Sequence, residues 1–244
     1  IHENIHGTGC VFSSAIAAYL SLGNSLSESL EKAEMFFNER FSNFIELPNG
    51  GKILDMTLDK EKVNVINQIK EIYNFVSNNR NFSKLIPEVR MNISGALLNA
   101  ASKEQVAGFE GRITIVGGYP KASGEIKFGV SDHTARLILE AKKFDKSVNF
   151  VVNLKYKLEW IKKMQEKTDL ILQEIERELQ PKEIMTTEES TMQWIIKKSI
   201  KEIGSIADII WDKGSIGKEP MLRLFGKNSE DVINKLDKVI RAIE

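Results

Sequence analysis

The segment from Glu125 to Leu154, EIKFGV-SDHTARLILEAKKF-DKS-VNFVVNL, contains a strand, a helix and a second strand in succession. Glu125–Val130 predicts the first strand, and a helix follows from about His133 to Phe144. Val148–Leu154 is strongly apolar and predicts a further strand. Strands that alternate with helices in this way predict an α/β fold built in layers.

The flanking sequence continues the same alternation. Arg112–Val116 predicts a strand that forms a hairpin with Glu125–Val130 through a glycine-rich loop, so the sheet is expected to be mixed rather than purely parallel. Further strands are predicted at Leu170–Ile175, Ile206–Trp211 and Met221–Phe225. Further helices are predicted over Leu158–Met164, Met192–Ile203 and a C-terminal segment with Val232, Ile233, Leu236, Val239, Ile240 and Ile243 on one face.

The first part of the chain has a different organisation. Ser25 and Glu28 have the spacing of a capping box, and apolar residues follow at helical spacing. The segment Leu47–Lys52, LPNGGK, interrupts this pattern and predicts a domain boundary. An amphipathic helix then carries Val63, Ile66, Ile69, Tyr73 and Val76. We therefore predict a first part over 1–47, a linker and connecting helix over 48–84, and a main domain over 85–244.

Composition limits the class of protein. The chain has 244 residues, 42% hydrophobic and 28% charged, as in a globular protein with a sizeable core. Its 34 Lys and Arg balance its 34 Asp and Glu, which argues against a general nucleic-acid or membrane surface. One Cys excludes an internal disulfide and fits a reducing cytoplasm. Three His and one Cys cannot form a zinc site without several carboxylates, and no apolar run could span a bilayer.

Ser131, Asp132 and His133 stand where a predicted strand ends and a helix begins. The free amides and the dipole of a helix N-terminus favour anions. One interpretation is a phosphate or diphosphate site in which His133 acts as an acid or a charge donor. The alternative is that Ser131 or Asp132 only caps the helix, and that His133 is an ordinary surface residue.

Two other segments carry groups suited to an anion. Arg112 stands at the start of the predicted hairpin, and its guanidinium suits phosphate; an ion pair at a strand edge would equally explain it. The loop Asp212–Pro220 contains Gly217 and Lys218, but its short glycine spacing and the strand that follows exclude a P-loop. This loop either holds an anion or forms a plain hairpin turn.

The motif His6-Gly7-Thr8-Gly9-Cys10 precedes a predicted helix over Val11–Leu20. Its glycines let backbone amides turn toward one point, which suits an anion, although an ordinary helix start explains the motif as well. The motif resembles the C-terminal signature of hydroxymethylpyrimidine phosphate kinase, which has the ribokinase fold, over Ile1 to about Phe44. The resemblance implies an anion hole at Gly7, Gly9 and Cys10, with Cys10 where relatives carry an acidic base.

That kinase fold would place its nucleotide-binding sheet before this motif. Because the chain starts with Ile rather than Met, we expect it to be a fragment of a longer polypeptide. Kinase activity is then expected only in the parent chain.

The residues from Pro87 to Ile240 resemble the archaeal-type thiamine-phosphate synthase domain, which follows the kinase in bifunctional enzymes. The matching segments are Val106–Ile113, Phe128–Arg136, Asn153–Tyr156, Glu189–Trp194, Asp212–Gly214 and Gly217–Arg223. The resemblance implies a three-layer α/β/α fold with a mixed sheet of the class II aldolase type, preceded by a few helices from a ribokinase-like domain.

The resemblance also implies a reaction, in which hydroxymethylpyrimidine diphosphate and thiazole phosphate give thiamine phosphate and diphosphate. The key Arg and His of the family fall on Arg112 and His133. The substrate-binding positions that it implies are Asn92, Ser131, Asn153, Lys155, Gly217, Lys218 and Arg223. Two departures are that Arg90-Met91-Asn92 lacks the Gly that often precedes this Asn, and that Lys155 replaces an Arg and lacks its bidentate fork.

The expected partners are two phosphorylated small molecules, with Mg²⁺ as a candidate partner of the diphosphate, and a second copy of the chain in a homo-oligomer. Composition argues against nucleic-acid and membrane partners, and the sequence shows no dedicated carboxylate cage for a metal, so no resident metal site is expected. A different class of function is a sensor, because similar domains are joined to DNA-binding domains and bind thiamine compounds without catalysis. Arg112, His133 and the attached kinase segment favour the enzyme.

Overall fold

The computed structural model describes residues 5–41, 44–48, 50–56, 60–177, 180, 188–215 and 217–244. The chain divides into two compact units, Ile1–Asp59 and Lys60–Glu244. Within the described ranges, no helix combines the length and the apolar character that a membrane span requires.

The described residues of the first unit form two helices and a three-stranded sheet: β1 (Ile5–His6), α1 (Thr8–Ser21), α2 (Leu26–Phe41), β2 (Phe44–Glu46) and β3 (Lys52–Leu54). Strand β3 is parallel to β1 and antiparallel to β2. The predicted capping box is confirmed, because Ser25 N donates to Glu28 Oε2 at 2.9 Å and Glu28 N donates to Ser25 Oγ at 3.3 Å. The hydrogen bond from the Ser25 side chain lowers the pKa of Glu28.

The segment expected to be a domain boundary is instead a hairpin turn inside the first unit. Leu47 N donates to Gly51 O at 2.7 Å, which joins β2 to β3. Gly50, with a φ of 78°, supplies the left-handed backbone that the turn requires. Glycines therefore mark a reversal of the chain here, not the end of a domain.

Helix α1 begins within the glycine motif rather than after it. Gly7, with a φ of 83°, precedes the helix, so that Gly9 and Cys10 lie in the first turn. Val11 N donates to Gly7 O at 2.9 Å, which is the first bond of the helix. The amides of a first turn have no helical acceptor, so the expected anion hole keeps its donors although its loop is shorter than predicted.

The second unit contains strands and helices in alternation: α3 (Lys60–Ser77), β4 (Ile93–Ala96), β5 (Val106–Phe109), β6 (Ile113–Val116), β7 (Tyr119–Ala122), β8 (Ile126–Phe128), α4 (His133–Lys142), β9 (Phe150–Lys155), α5 (Leu158–Lys167), β10 (Leu172–Glu174), α6 (Glu188–Ile203), β11 (Ile209–Asp212), β12 (Met221–Gly226) and α7 (Ser229–Ile243). Seven strands form one sheet in the order β10-β11-β12-β9-β4-β5-β8. Strands β10 and β11 are parallel, and the other neighbours are antiparallel. The prediction of a mixed sheet is confirmed.

The two faces of this sheet are buried under different helices. One core combines α3, α5 and α7 with strand residues such as Val152, and the other combines α4 and α6 with residues such as Val151. Because successive residues of a strand point to opposite faces, the continuous apolar run of β9 serves both cores. The domain therefore has the predicted three layers.

Helix α3 belongs to the core of the second unit and is not a connector. Ile69 and Val76 on this helix are fully buried. Gly95 on β4 allows this helix to pack closely, since a Cβ at Gly95 would lie 3.1 Å from Val65 Cγ1 of α3. The expected linker over 48–84 is thus replaced by a division between 59 and 60.

The predicted hairpin between 112–116 and 125–130 is wrong. Strand β6 pairs with β7, and the two residues between them, Gly117 and Gly118, have φ values of 60° and 82°. Two consecutive left-handed residues form the tight turn that hairpins prefer, so the chain reverses earlier than expected. Strand β8 instead pairs with β5 at the edge of the main sheet.

Candidate active site

The sheet face toward α4 and α6 changes from apolar to polar along three adjacent strands. Asn153 on β9, Arg223 on β12 and Asp212 on β11 each stand two positions from a buried apolar residue of that face. Alternate residues of a strand share a face, so these three side chains lie beyond the end of the apolar core. The register places Arg223 opposite Asn153, which makes a polar row across the strands.

A cleft of about 280 Å³ lies at this polar end of the face. Its walls come from the strands, from the start of α4 and from loops on both sides. The residues that line it are Val89, Asn92, Phe109, Glu110, Arg112, Val130, Ser131, Asp132, His133, Thr134, Leu137, Asn153, Arg177, Met192, Gly217, Lys218, Glu219, Met221 and Arg223. We refer to this site as the polar cleft.

Arg112 is held at the polar cleft by an unusual backbone conformation. Its φ is 61°, in the left-handed region that residues other than glycine rarely adopt. Its Nη1 donates to Val89 O at 2.6 Å, and its own carbonyl accepts from Ser123 N at 2.9 Å. A strained residue that is fixed on both sides is typical of functional sites.

Three buried hydroxyls form a cluster between β4 and the start of helix α4. Ser94 Oγ lies 2.6 Å from Thr134 Oγ1 and donates to Ser131 Oγ at 3.1 Å, and Ser131 also bonds Thr134. Asp132 occupies the N-cap position, but its side chain makes no capping bond and accepts from Arg136 Nη2 at 3.0 Å instead. The expectation that Ser131 or Asp132 caps the helix is therefore not met.

His133 is the first residue of α4, as predicted, and lines the polar cleft. The hydroxyl cluster fixes the strand-to-helix connection against β4, which orients this end of the helix. Arg136 N donates to Asp132 O at 3.0 Å, so the amides before it lack a helical acceptor. The positive end of the helix dipole thus lies beside an imidazole at the polar cleft.

Two asparagines line the polar cleft and also tie strands together. Asn92 Oδ1 accepts from Phe109 N at 2.9 Å, which links the start of β4 to β5. Asn153 Oδ1 accepts from Asn92 N at 2.7 Å, and its Nδ2 donates to Arg90 O at 2.9 Å. Both side chains therefore position the backbone around the polar cleft in addition to forming its wall.

The loop between β11 and β12 is a hairpin turn that contributes to the polar cleft. Glu219 accepts from Glu88 N at 2.9 Å and from Val89 N at 3.2 Å, which places its neighbours Gly217 and Lys218 in the wall. The two interpretations of this loop are therefore compatible, because the loop joins two antiparallel strands as a turn and also brings Lys218 to the polar cleft.

Three buried charged residues form a cluster beside the polar cleft. Asp212 Oδ2 accepts from Arg177 Nη2 at 3.1 Å and from Arg223 Nη1 at 2.6 Å. Burial alone would raise the pKa of Asp212, but the two guanidinium groups outweigh it and lower this pKa. A buried carboxylate that remains ionised between two arginines leaves one positive charge in excess.

Most of the predicted site residues converge on the polar cleft. Those that line it are Asn92, Arg112, Ser131, His133, Asn153, Gly217, Lys218 and Arg223. Lys155 is not part of the lining; it pairs with Met221 at the end of β9. Arg223 lines the polar cleft, is only 5% exposed and is bonded to Asp212, so at least one of its donors is already used within the protein.

Arg177 was not predicted, although it lines the polar cleft. In sequence it stands within Glu176-Arg177-Glu178, which has the composition of a solvated surface segment. Only the pairing of β10 with β11 brings it beside Asp212. No pattern in the sequence could have revealed this contact.

The fold and the polar cleft define a class of protein: an α/β domain with a cleft lined by Arg and Lys side chains at the polar end of one sheet face. The chain belongs to the thiamine-phosphate synthase ThiN family, whose model matches residues 68–238. The phosphomethylpyrimidine kinase model matches residues 1–54. Both matches agree with the resemblances carried by the sequence motifs.

Known relatives support the same assignment. The bifunctional thiamine biosynthesis protein ThiDN of Methanocaldococcus jannaschii is 34% identical over 239 residues, which are 97% of this chain and 54% of that protein. The chain thus spans about half the length of this relative. Thiamine-phosphate synthase ThiN of Methanothermobacter thermautotrophicus is 30% identical over 176 residues, 72% of this chain and 92% of that protein. A crystal structure of the C-terminal domain of phosphomethylpyrimidine kinase aligns with a TM-score of 0.68 at 35% identity, covering 73% of this chain and 100% of that domain.

Proposed function

We propose that this chain synthesises thiamine phosphate from hydroxymethylpyrimidine diphosphate and thiazole phosphate. The bond between the pyrimidine methylene carbon and the diphosphate oxygen breaks, and its electron pair leaves with diphosphate. The ring nitrogen of the thiazole supplies the electron pair of the new C–N bond. The observation that carries the proposal is that Arg112 and His133 line one cleft in a chain of the ThiN family.

In this proposal the residues of the polar cleft stabilise the departing diphosphate. Negative charge grows on the leaving oxygen, and donors fixed beforehand stabilise it without reorganisation. Arg112 would bind this oxygen with the donors that Val89 O does not occupy. His133 would give it a hydrogen bond or a proton, at the positive N-terminal end of α4.

The remaining predicted residues would hold the two substrates. Lys218 would attract phosphate as a point charge, and the amide of Gly217 would donate to it. Asn92 and Asn153 would contact the substrates through the polar wall that they share, and Ser131 would orient the start of α4. Lys155, which lies outside the lining, would act only on a part of a ligand that extends beyond the polar cleft.

Magnesium would enter with the diphosphate rather than occupy a protein site. The carboxylates of the polar cleft already have partners: Glu110 bonds Lys127 at 3.1 Å, Asp132 bonds Arg136, and Glu219 accepts two backbone amides. Within the described ranges, no group of three His, Cys, Asp or Glu could hold a metal ion. These residues do not fit a resident metal, so we derive no step through Mg²⁺.

The direct test is to incubate the purified chain with both substrates and to measure thiamine phosphate and diphosphate. We expect the two products in equal amounts, and none when either substrate is omitted. Saturable binding of thiamine compounds without any product would favour the sensor. Phosphorylation of hydroxymethylpyrimidine phosphate by ATP would show that this chain also has kinase activity.

We also propose that the chain acts in the cytoplasm and self-associates through its first unit. Exposed apolar side chains of that unit support the second part: Leu20, Leu22, Leu26, Leu30, Met35 and Phe41. Light scattering on the purified chain is expected to give a mass above that of one copy. A single-copy mass at micromolar concentration would contradict this proposal.

A further inference from the structure

Two hydrogen-bond donors of Arg177 have no acceptor among the described residues. Its Nη2 donates to Asp212 Oδ2 at 3.1 Å, but its Nε and Nη1 are buried and have no acceptor within the described part of the chain. The residue is 5% exposed and lines the polar cleft. Buried polar groups are nearly always paired, so an arginine with two unpaired nitrogens beside a cleft indicates that an acceptor binds there.

The charges of the cluster lead to the same conclusion. Asp212 is fully buried, and its Oδ1 already accepts from Gly214 N at 2.8 Å. Its Oδ2 is shared by Arg177 and by Arg223, and the bond to Arg223 is the shorter one, at 2.6 Å. Arg223 alone would neutralise Asp212, so the charge of Arg177 is in excess, and a buried excess charge calls for a counter-ion.

Arg241 shows how an exposed arginine differs from Arg177. Arg241 pairs with Asp237 through Nε at 2.8 Å, and its side chain is 76% exposed. Water therefore satisfies every donor of Arg241 that Asp237 does not. Arg177 has neither that access to water nor a second carboxylate within the described residues.

We propose that Arg177 is an anion-binding residue of the polar cleft and that it takes a phosphoryl oxygen of a phosphorylated ligand. Asp212 holds the guanidinium in place through Nη2, which leaves Nη1 and Nε to donate to the anion. The identity of the ligand rests on the proposed function, because both substrates and the released diphosphate carry phosphoryl groups. The presence of an anion site at Arg177 does not depend on that function.

The first test measures binding of inorganic diphosphate and, separately, inorganic phosphate by calorimetry. We compare the wild-type chain with Arg177→Gln, and with Arg241→Gln as a matched control that loses the same charge from the surface. Loss of one charge-assisted contact is expected to weaken diphosphate binding roughly ten- to a hundredfold in Arg177→Gln. Arg241→Gln is expected to bind as the wild type does. Equal affinity in the wild type and Arg177→Gln, or no binding by the wild type, would overturn the proposal.

A purely structural role for Arg177 predicts a different pattern. Arg177→Gln leaves Asp212 paired with Arg223, so we expect its melting temperature without ligand to stay close to that of the wild type. A large loss of stability with unchanged diphosphate affinity would show that Arg177 serves only to balance Asp212. If the variant does not fold, a crystal structure of the wild type with diphosphate decides: an oxygen bonded to Nη1 or Nε supports the proposal, and an anion elsewhere in the polar cleft refutes it.

Steady-state kinetics distinguish which substrate binds Arg177, and they test the anion site separately from the proposed function. A higher KM for the pyrimidine diphosphate alone would assign the anion to the diphosphate, and a higher KM for thiazole phosphate alone would assign it to that phosphate. If the wild type forms no thiamine phosphate but Arg177→Gln loses diphosphate binding, the proposed function fails and the anion site stands. If the wild type is active and Arg177→Gln keeps both KM values and its diphosphate affinity, the anion site fails and the function stands.

Discussion

Replacing Arg112 by alanine and by glycine separates its role in catalysis from its cost to the fold. Its φ of 61° would persist in Arg112→Ala, whereas glycine adopts this conformation freely. The left-handed backbone costs a residue with a Cβ about 1–2 kcal/mol. The greater freedom of glycine in the unfolded chain cancels about 0.4–1 kcal/mol of that difference. We therefore expect Arg112→Gly to be about 0.5–1 kcal/mol more stable than Arg112→Ala.

Both variants are expected to lose activity to the same extent. Removing one fixed donor to a developing negative charge lowers turnover by roughly a hundredfold or more. Arg112→Lys should recover only part of this, because an ammonium cannot both bond Val89 O and present a guanidinium fork. Turnover is measured as thiamine phosphate formed at saturating substrates. Stability is measured by thermal unfolding, where the difference between the glycine and alanine variants corresponds to about 1–4 °C.

Arg90 provides a matched control for this series. It has a φ of 69°, and its Nη1 donates to Gly111 O at 3.3 Å, but it does not line the polar cleft. Arg90→Gly should therefore exceed Arg90→Ala in stability by a similar amount, with turnover close to that of the wild type. Near wild-type turnover in both Arg112→Ala and Arg112→Gly would remove Arg112 from the mechanism and favour the sensor. If Arg112→Gly were less stable than Arg112→Ala, the backbone at Arg112 would not be strained.

Three further predictions follow from the structure. His133→Ala should lower turnover roughly a hundredfold with little change in melting temperature, because the residue starts α4, lines the polar cleft and is only half-buried. Asp212→Asn should cost about 3–5 kcal/mol in urea unfolding, since it leaves two buried guanidinium groups without a carboxylate. The pKa of Asp212 is lowered in the folded state, so the ionised carboxylate stabilises the fold at pH values above the unfolded pKa of about 3.9. This stabilisation is lost as the pH falls through the lower folded pKa, and Asp212→Asn should lack that acid-dependent loss of stability. Deleting residues 1–59 should leave a folded second unit by circular dichroism, because that unit has its own two cores, and an unfolded product would contradict the division.

The elements that could be predicted from the sequence are those whose signal is local. Helix α4 begins at His133 as expected, and the apolar face of α7 includes Val232, Leu236 and Val239, all of which are buried. Strands β4 and β5 were missed, because Gly95 and Gly108 interrupt the apolar pattern. A Cβ on Gly108 would lie 2.9 Å from Ser94 Oγ, so the packing that requires glycine also removes the strand signal.

What the sequence could not provide is the partner of each strand. The pairing of β6 with β7 was missed because Pro120 and Lys121 give the second strand little β character. The burial of α3 depends in part on contacts with α7, which lies far along the chain. Arg177 reaches Asp212 only through the pairing of β10 with β11. By contrast, Arg112 and His133 could be named because a family resemblance added information that spacing alone does not contain.

A chain with no net charge can still form a strongly cationic cleft. The polar cleft is lined by the cations Arg112, Arg177, Lys218 and Arg223. Its acidic residues are neutralised from outside: Glu110 by Lys127 and Asp132 by Arg136, neither of which lines the polar cleft. Glu219 directs both carboxylate oxygens to backbone amides. The carboxylates of the lining thus have partners, whereas Arg112 and Arg177 keep guanidinium donors that Val89 O and Asp212 do not use. On the proposed function, a diphosphate would therefore meet an excess of positive charge that the overall composition conceals.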